Sequence, residues 1–304
     1  MPKLPIDAKR RIAVVNDAGV CGGSVRNPDT DDLPLSLDSK RHGPKVAGVT
    51  EALVEIPAAT LVVFRHGPTG CPPELLMVVR SREMSFAGGM AVFPGGRVDE
   101  ADRAFAETLA GSLDVEEAAH RIAAIRETIE ETGLAPGLRQ RLDHKEATGL
   151  REDLDREGAL APVLDGRGLT LDLEALVPFA RWCPRGITSH RIFDTRFYLA
   201  DLGTGAVDLA VDASENTHLF WISAADALAR ADSGALSVIF PTRRNLERLA
   251  QFASFAEAKA HAEAHPVRTI IPQVAERDGQ QALTIPDDLG YPVTHETLDR
   301  AMRG

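Results

Sequence analysis

Three carboxylates fall within one turn of a candidate helix. They are Glu127, Glu130 and Glu131, in the run Arg126-Glu127-Thr128-Ile129-Glu130-Glu131-Thr132-Gly133-Leu134. A helix advances about 100° per residue, so positions i, i+3 and i+4 project from one face. Like charges at this spacing repel, and each pair costs a helix a few tenths of a kcal/mol. Two arrangements offset that cost. The face can be solvated, with Arg126 pairing Glu130 one turn along. It can instead hold a divalent cation, because Mg2+ and Mn2+ prefer carboxylate and water oxygens.

A helix has to position these groups, and the flanking residues predict one. On a wheel drawn from Val115 to Thr132, Ala118, Ile122, Ile125 and Ile129 fall opposite the carboxylates. One side therefore suits a core while the other concentrates charge. Gly133 suits the left-handed position just past a helix end. Upstream stands Phe93-Pro94-Gly95-Gly96-Arg97-Val98-Asp99. Two glycines after a short apolar run permit a tight turn and close approach of a ligand to the backbone.

The glycine turn and the Arg-Glu-x-x-Glu-Glu-x-Gly run together resemble the signature of the Nudix hydrolases. Gly96 fits that pattern's first glycine, and Arg126 to Leu134 fit its second half. Asp102 stands where the pattern has its first Glu, and Thr128 where it has an aliphatic residue. Between Asp102 and Arg126 lie 23 residues where the pattern has 7, an insertion of 16. The insert, roughly residues 103–114, reads as a polar, Ala-rich loop or short helix. A box enlarged in this way resembles the branch that includes coenzyme A diphosphatases. The stretch Leu76-Met77-Val78-Val79-Arg80-Ser81, then Gly89 and Phe93-Pro94-Gly95-Gly96, is similar to the motif preceding the box in coenzyme-A-cleaving members. Met77, Val78 and Ser85 depart from it.

The resemblance implies a mixed-sheet α/β/α sandwich with a C-terminal helical extension. It implies metal-dependent hydrolysis of a diphosphate linkage in a nucleotide conjugate, coenzyme A or acyl-coenzyme A first. Mg2+ or Mn2+ would be held by Glu127, Glu130 and Glu131, with Glu215, which precedes a strand-like His218–Ile222. The catalytic candidates are Glu127, Glu130 and Arg126, the last orienting a carboxylate of its own helix. Gly95 and Gly96 would turn backbone N–H groups toward metal or phosphate. Arg80 and Arg82 either bind the 3′-phosphate of coenzyme A or serve as surface charge, and Arg191 and Arg196 carry the same two readings. His120 reads as a partly exposed structural histidine, and Trp182 and Trp221 as core. Two alternatives stay open: a diphosphatase for NADH or ADP-ribose, and a non-catalytic ligand-binding module.

Composition narrows the setting. The 304 residues can bury one large core or two small ones. A net charge of −11 argues against a nucleic acid or an anionic membrane as main partner. Cys21, Cys71 and Cys183 are far apart, so neither a zinc site nor a disulfide framework is indicated, and a reduced cytoplasm is the simplest setting. No apolar run is long enough for a membrane span, and Ile12–Val15 is too short for a signal segment. Nothing decides between a monomer and a homodimer.

In chain order, residues 1–45 read as a Gly-, Pro- and Asp-rich flexible arm with one short strand at Ile12–Val15. Residues 46–304 read as a single domain, with a core at about 57–235 and the helical extension at 236–304. Strands are expected at Ala59–Phe64, Glu74–Arg80, Met90–Phe93, Leu176–Trp182 and Arg191–Ala200. One or two short helices are expected within Asp143–Asp172, and further helices at Ala224–Ala231, Pro241–Phe252 and Ser254–Ala264.

Overall fold

The centre of the sheet is a strand buried on both faces. In the computed structural model, which describes residues 54–81, 87–109, 111, 113–185, 187, 191–202 and 216–301, strand β1 spans Glu55–Arg65. Ala59, Leu61 and Val63 enter one apolar cluster, and Val62 and Phe64 enter another on the opposite face. Two buried faces explain the unbroken apolar run, which has no polar alternation. The expected arm with its strand at Ile12–Val15, and the candidates Arg82 and Glu215, lie outside the described residues.

Strands β2 (Glu74–Arg80), β3 (Ala91–Val92), β4 (Gly95–Arg97), β5 (Val177–Trp182), β6 (Ile192–Asp201), β7 (Asn216–Ser223) and β8 (Thr269–Ile270) complete a mixed sheet. Its order is β3-β2-β1-β6-β5-β8, with β4 on β1 and β7 on β2. β1 and β6 run parallel from Glu55 beside Ile192 to Phe64 beside Asp201. On its other edge β1 changes partner along its length. Ala58–Thr60 pair with Arg97–Gly95 of β4, and Phe64–Arg65 pair with Leu75–Glu74 of β2.

Helices cover both faces. The insert forms helix α1 (Glu100–Thr108), followed by α2 (Val115–Thr132). Asp114 caps α2 by accepting from the N–H groups of Glu116 and Glu117, and Gly133 ends it at φ 73°. Ala118, Ile122, Ile125 and Ile129 pack against Leu61, Val63 and Tyr198 in one cluster. Burying each isoleucine contributes roughly 1.5–3 kcal/mol. Helices α3 (His144–Glu157) and α4 (Leu160–Arg167) extend this layer. On the other face lie α5 (Ala224–Asp232), α6 (Phe240–Leu249) and α7 (Phe255–Ala264). None of the helices among the described residues is long and apolar enough to cross a membrane.

The C-terminal extension is not purely helical, as the sequence reading expected. Strands β9 (Gln273–Arg277), β10 (Gln280–Thr284) and β11 (His295–Thr297) form a separate sheet, followed by helix α8 (Leu298–Ala301). The β9–β10 hairpin turns at Asp278-Gly279, both at positive φ (51° and 75°). An Asp-Gly pair suits a two-residue loop whose twist matches the strands. Cys71 is disulfide-bonded, contrary to the reading of the cysteines, while Cys183 is free and buried.

Arg248 of α6 is buried without a carboxylate partner among the described residues. It donates to the Phe179 carbonyl (2.8 Å), lies 3.4 Å from His261 Nδ1 and stacks on Phe179 and Tyr291. Burial, with the Arg248 and His265 charges, pushes His261 down to about 4. Its neutral form is the one the fold accepts. As pH falls below the ordinary value of 6.5, the unfolded chain takes up a proton before the folded one, so stability drops. The melting temperature is expected to fall between pH 7 and pH 5, and to fall less in His261→Gln. An equal fall in both proteins would count against it.

Candidate active site

The glycine turn and the end of α2 meet face to face. Gly95 lies beside Thr60, and its N–H donates to Glu131 Oε2 at 3.1 Å. A Cβ on Gly95 would sit 2.4 Å from the Ala59 carbonyl oxygen. A Cβ on Gly96 would sit 2.3 Å from the Glu127 carboxylate. Both positions are short of room, Gly95 against backbone and Gly96 against the Glu127 carboxylate, which would have to move. Gly96→Ala is expected to displace Glu127 and to lower turnover at least about ten-fold, because a shift near 1 Å in a catalytic group can cost more than that. Melting temperature and turnover measured together would check it.

Arg126 is the hub of the charged groups. Its guanidinium donates to Asp102 through Nε (2.9 Å) and Nη2 (3.0 Å), to Glu127 (3.1 Å), to Glu130 (2.9 Å) and to the Arg97 carbonyl (2.9 Å). Asp102 is only 1% exposed and also accepts from the Asp99 N–H, closing a capping box at the start of α1. Burial by itself would lower the Arg126 pKa, but the bonds to Asp102 and the charges of Glu127 and Glu130 raise it further, so it stays protonated. Burial pushes Glu127 up to about 8, with the Glu130 and Glu131 charges adding and Arg126 opposing. Burial also raises Glu130, and Asp102 and Asp155 add to it. With Asp99 at 3.6 Å, four carboxylates thus share one guanidinium.

These groups open on a cavity of about 800 Å3. Its floor is one face of the sheet, with Ile56, Ala58 and Thr60 of β1 beside Phe193, Thr195 and Phe197 of β6. Glu127, Glu130 and Glu131 form part of the wall, joined by Asp99 and by Asp155 of α3. Arg80, Arg191 and the start of α6 supply another part.

No family model matches the chain. A Nudix hydrolase of known structure from Alicyclobacillus acidocaldarius is 32% identical, over 69% of this chain and 97% of its own, with a TM-score of 0.61. The chain belongs to the Nudix hydrolase family. A curated relative, acyl-coenzyme A diphosphatase NUDT19 of Gallus gallus, is 29% identical over 242 residues, which cover 60% of this chain and 63% of the relative. The chain thus spans less than two thirds of that relative's length.

Nudix hydrolases generally use divalent metal ions, and the donor set here suits one: carboxylate oxygens, half-buried at Glu127 and Glu130 and buried at Glu131, crowded by their own charges. In this structure Arg126 engages Glu127 and Glu130 while the Gly95 N–H engages Glu131. Among the described residues the one set of three donor groups within 4.8 Å of one another is Glu55, Cys183 and Asp194. There both carboxylates already carry arginines, Arg185 on Glu55 and Arg181 on Asp194, so the set reads as an ion-pair clamp.

Several single-residue readings change in this Nudix hydrolase. His120 is buried, where partial exposure was expected, and its Nδ1 lies 2.6 Å from the Glu116 carbonyl. Arg196 pairs with Glu117 behind the sheet and does not line the cavity, whereas Arg191 does. Trp182 is core, as expected, and also lines the cavity, its Nε1 3.3 Å from both Asn245 and Tyr291. Asp155 and the first turn of α6 went unnoticed in the sequence, because no local pattern ties them to a glycine turn so distant in the chain.

Proposed function

We propose that the chain is a pyrophosphohydrolase that cleaves the diphosphate linkage of coenzyme A or an acyl-coenzyme A, giving 3′,5′-ADP and (acyl-)4′-phosphopantetheine. The observation that carries this reading is the cavity. It joins a three-carboxylate turn to an apolar floor and to Arg80, an arginine with no acid partner among the described residues. The similarity to acyl-coenzyme A diphosphatase NUDT19 supports the choice of substrate.

In this reading Glu127, Glu130 and Glu131 would hold Mg2+ or Mn2+, with Glu215 completing the set. The metal, when bound, supplies positive charge against the diphosphate and acidifies a water. The protein's own groups do the rest. Arg126 fixes the directions of Glu127 and Glu130 without touching substrate. One of these two carboxylates accepts the proton of the attacking water. Gly95 and Gly96 leave the space in which Glu131 and Glu127 sit. Arg80, with Arg82, binds the 3′-phosphate of the nucleotide, since a guanidinium matches phosphate geometry. One domain over residues 46–304 carries all of this, residues 236–304 being its extension.

The test is a product assay. The protein is incubated with coenzyme A and Mg2+ or Mn2+, and products are read by mass spectrometry beside Glu131→Gln. Metal-dependent 3′,5′-ADP that disappears in the variant supports the reading. Cleavage of NADH or ADP-ribose in place of coenzyme A replaces the substrate. Silence on all three, from folded and metal-binding protein, favours a binding module.

A further inference from the structure

One part of the cavity lining is rich in donors and holds no carboxylate among the described residues. Helix α6 begins at Phe240 on the N-cap residue Ile239, which has no side chain able to cap it, and its first turn holds no acidic residue. The opening N–H groups of a helix have no partner within it, and the aligned peptides place partial positive charge there. Pro241 lacks an N–H, which leaves those of Phe240 and Thr242 to be satisfied from outside. Ile239, Pro241 and Thr242 all line the cavity.

Two side chains point to what satisfies them. Thr242 is 3% exposed and lines the cavity, and its hydroxyl has no hydrogen bond among the described residues. Arg80 lines the same cavity with its Nε buried and unpartnered, and no carboxylate pairs with it among the described residues. β3 ties the segments that carry them together. The Arg80 N–H donates to the Met90 carbonyl at 3.1 Å, and the next residue, Ala91, donates to Ser237 at 2.8 Å, just before α6 begins. A buried hydroxyl, free backbone N–H groups and an unpaired guanidinium around one space suit a tetrahedral anion.

We propose that the first turn of α6, with Thr242 and Arg80, is a subsite for a phosphoryl group of the substrate other than the two joined by the scissile linkage. The proposal rests on the reading of the cavity as a nucleotide-conjugate site and deepens it. It adds a helix terminus and a threonine to the expected arginine, and makes the enzyme selective for conjugates that carry a third phosphate.

The test is a binding ratio, read without turnover. Adenosine 3′,5′-bisphosphate and adenosine 5′-monophosphate are titrated calorimetrically into the full chain with EDTA present. The bisphosphate is expected to bind at least about ten-fold more tightly, a difference within reach of one or two charge-assisted hydrogen bonds. Thr242→Val and Arg80→Gln should each shrink that ratio several-fold, and Thr242→Ser, which keeps the hydroxyl, should restore it. Thermal melts confirm that each variant folds. Equal or absent binding of the two nucleotides in the wild type, or a ratio unchanged in both variants, overturns the subsite. Coenzyme A hydrolysis is measured separately. A failed hydrolysis with the ratio intact would overturn the proposed substrate and leave the subsite. Hydrolysis with no such ratio would do the reverse.

Discussion

Glu127→Gln is expected to lower turnover by about 10²–10³-fold while leaving the protein folded. Glu127 lies under Gly96, with its carboxylate held by Arg126 at 3.1 Å. Glutamine keeps the shape and can still accept from Arg126, so packing against Gly96 survives. What it loses is the negative charge offered to a divalent cation and to the proton of a water. Losses of this size are typical where one preorganised charge-stabilising group is removed. Stability should move the other way, because the substitution relieves repulsion from Glu130 and Glu131. The checks are turnover at saturating substrate, Mn2+ affinity by calorimetry, and the melting temperature. Turnover within ten-fold of the wild type would remove Glu127 from the proposed machinery.

Arg126→Met is the largest expected loss of stability. Asp102 is buried and bound by two guanidinium nitrogens, and Arg126 is the basic group that balances it. Breaking a buried pair by removing one partner costs about 3–5 kcal/mol, because the remaining charge stays desolvated. Glu127 and Glu130 lose the same donor, so activity should fall as well. Pairing the change with Asp102→Leu separates the two effects. The double variant should regain much of the stability in urea unfolding, yet remain inactive, since neither residue is then left to orient the carboxylates. Equal stability of the single and double variants would show that Asp102 is satisfied in some other way.

Helix α2 was legible in detail because its signals are local. Ala118, Ile122, Ile125 and Ile129 repeat at helical spacing, Gly133 stops the helix, and the observed limits Val115–Thr132 follow from those residues. Strand β2 was read at its observed limits for the same reason: an apolar run between turn residues. Asp102 shows the other side. It stands where the family pattern has its first Glu, but its pairing with Arg126 depends on α1 folding back over a long insert, and only the fold specifies that. The cavity's far-sequence members, Asp155 and Thr242, are brought in by helices with no chemistry of their own to announce them. The β9–β10 hairpin was a missed local signal. Asp278-Gly279 between two short β-prone runs is enough to predict it.

The pairing of β1 with β6 sets an order of events during synthesis. β1 can meet its central neighbour only after more than 100 further residues have been made, including every candidate catalytic residue of the glycine turn and α2. Closing a loop of that length costs on the order of 4 kcal/mol beyond a constant, and contacts that distant form late. The cavity floor is shared equally between these two strands. A nascent chain that already displays Glu127, Glu130 and Glu131 therefore has no floor on which to seat a nucleotide. The cavity is complete only when β6 emerges and the sheet closes.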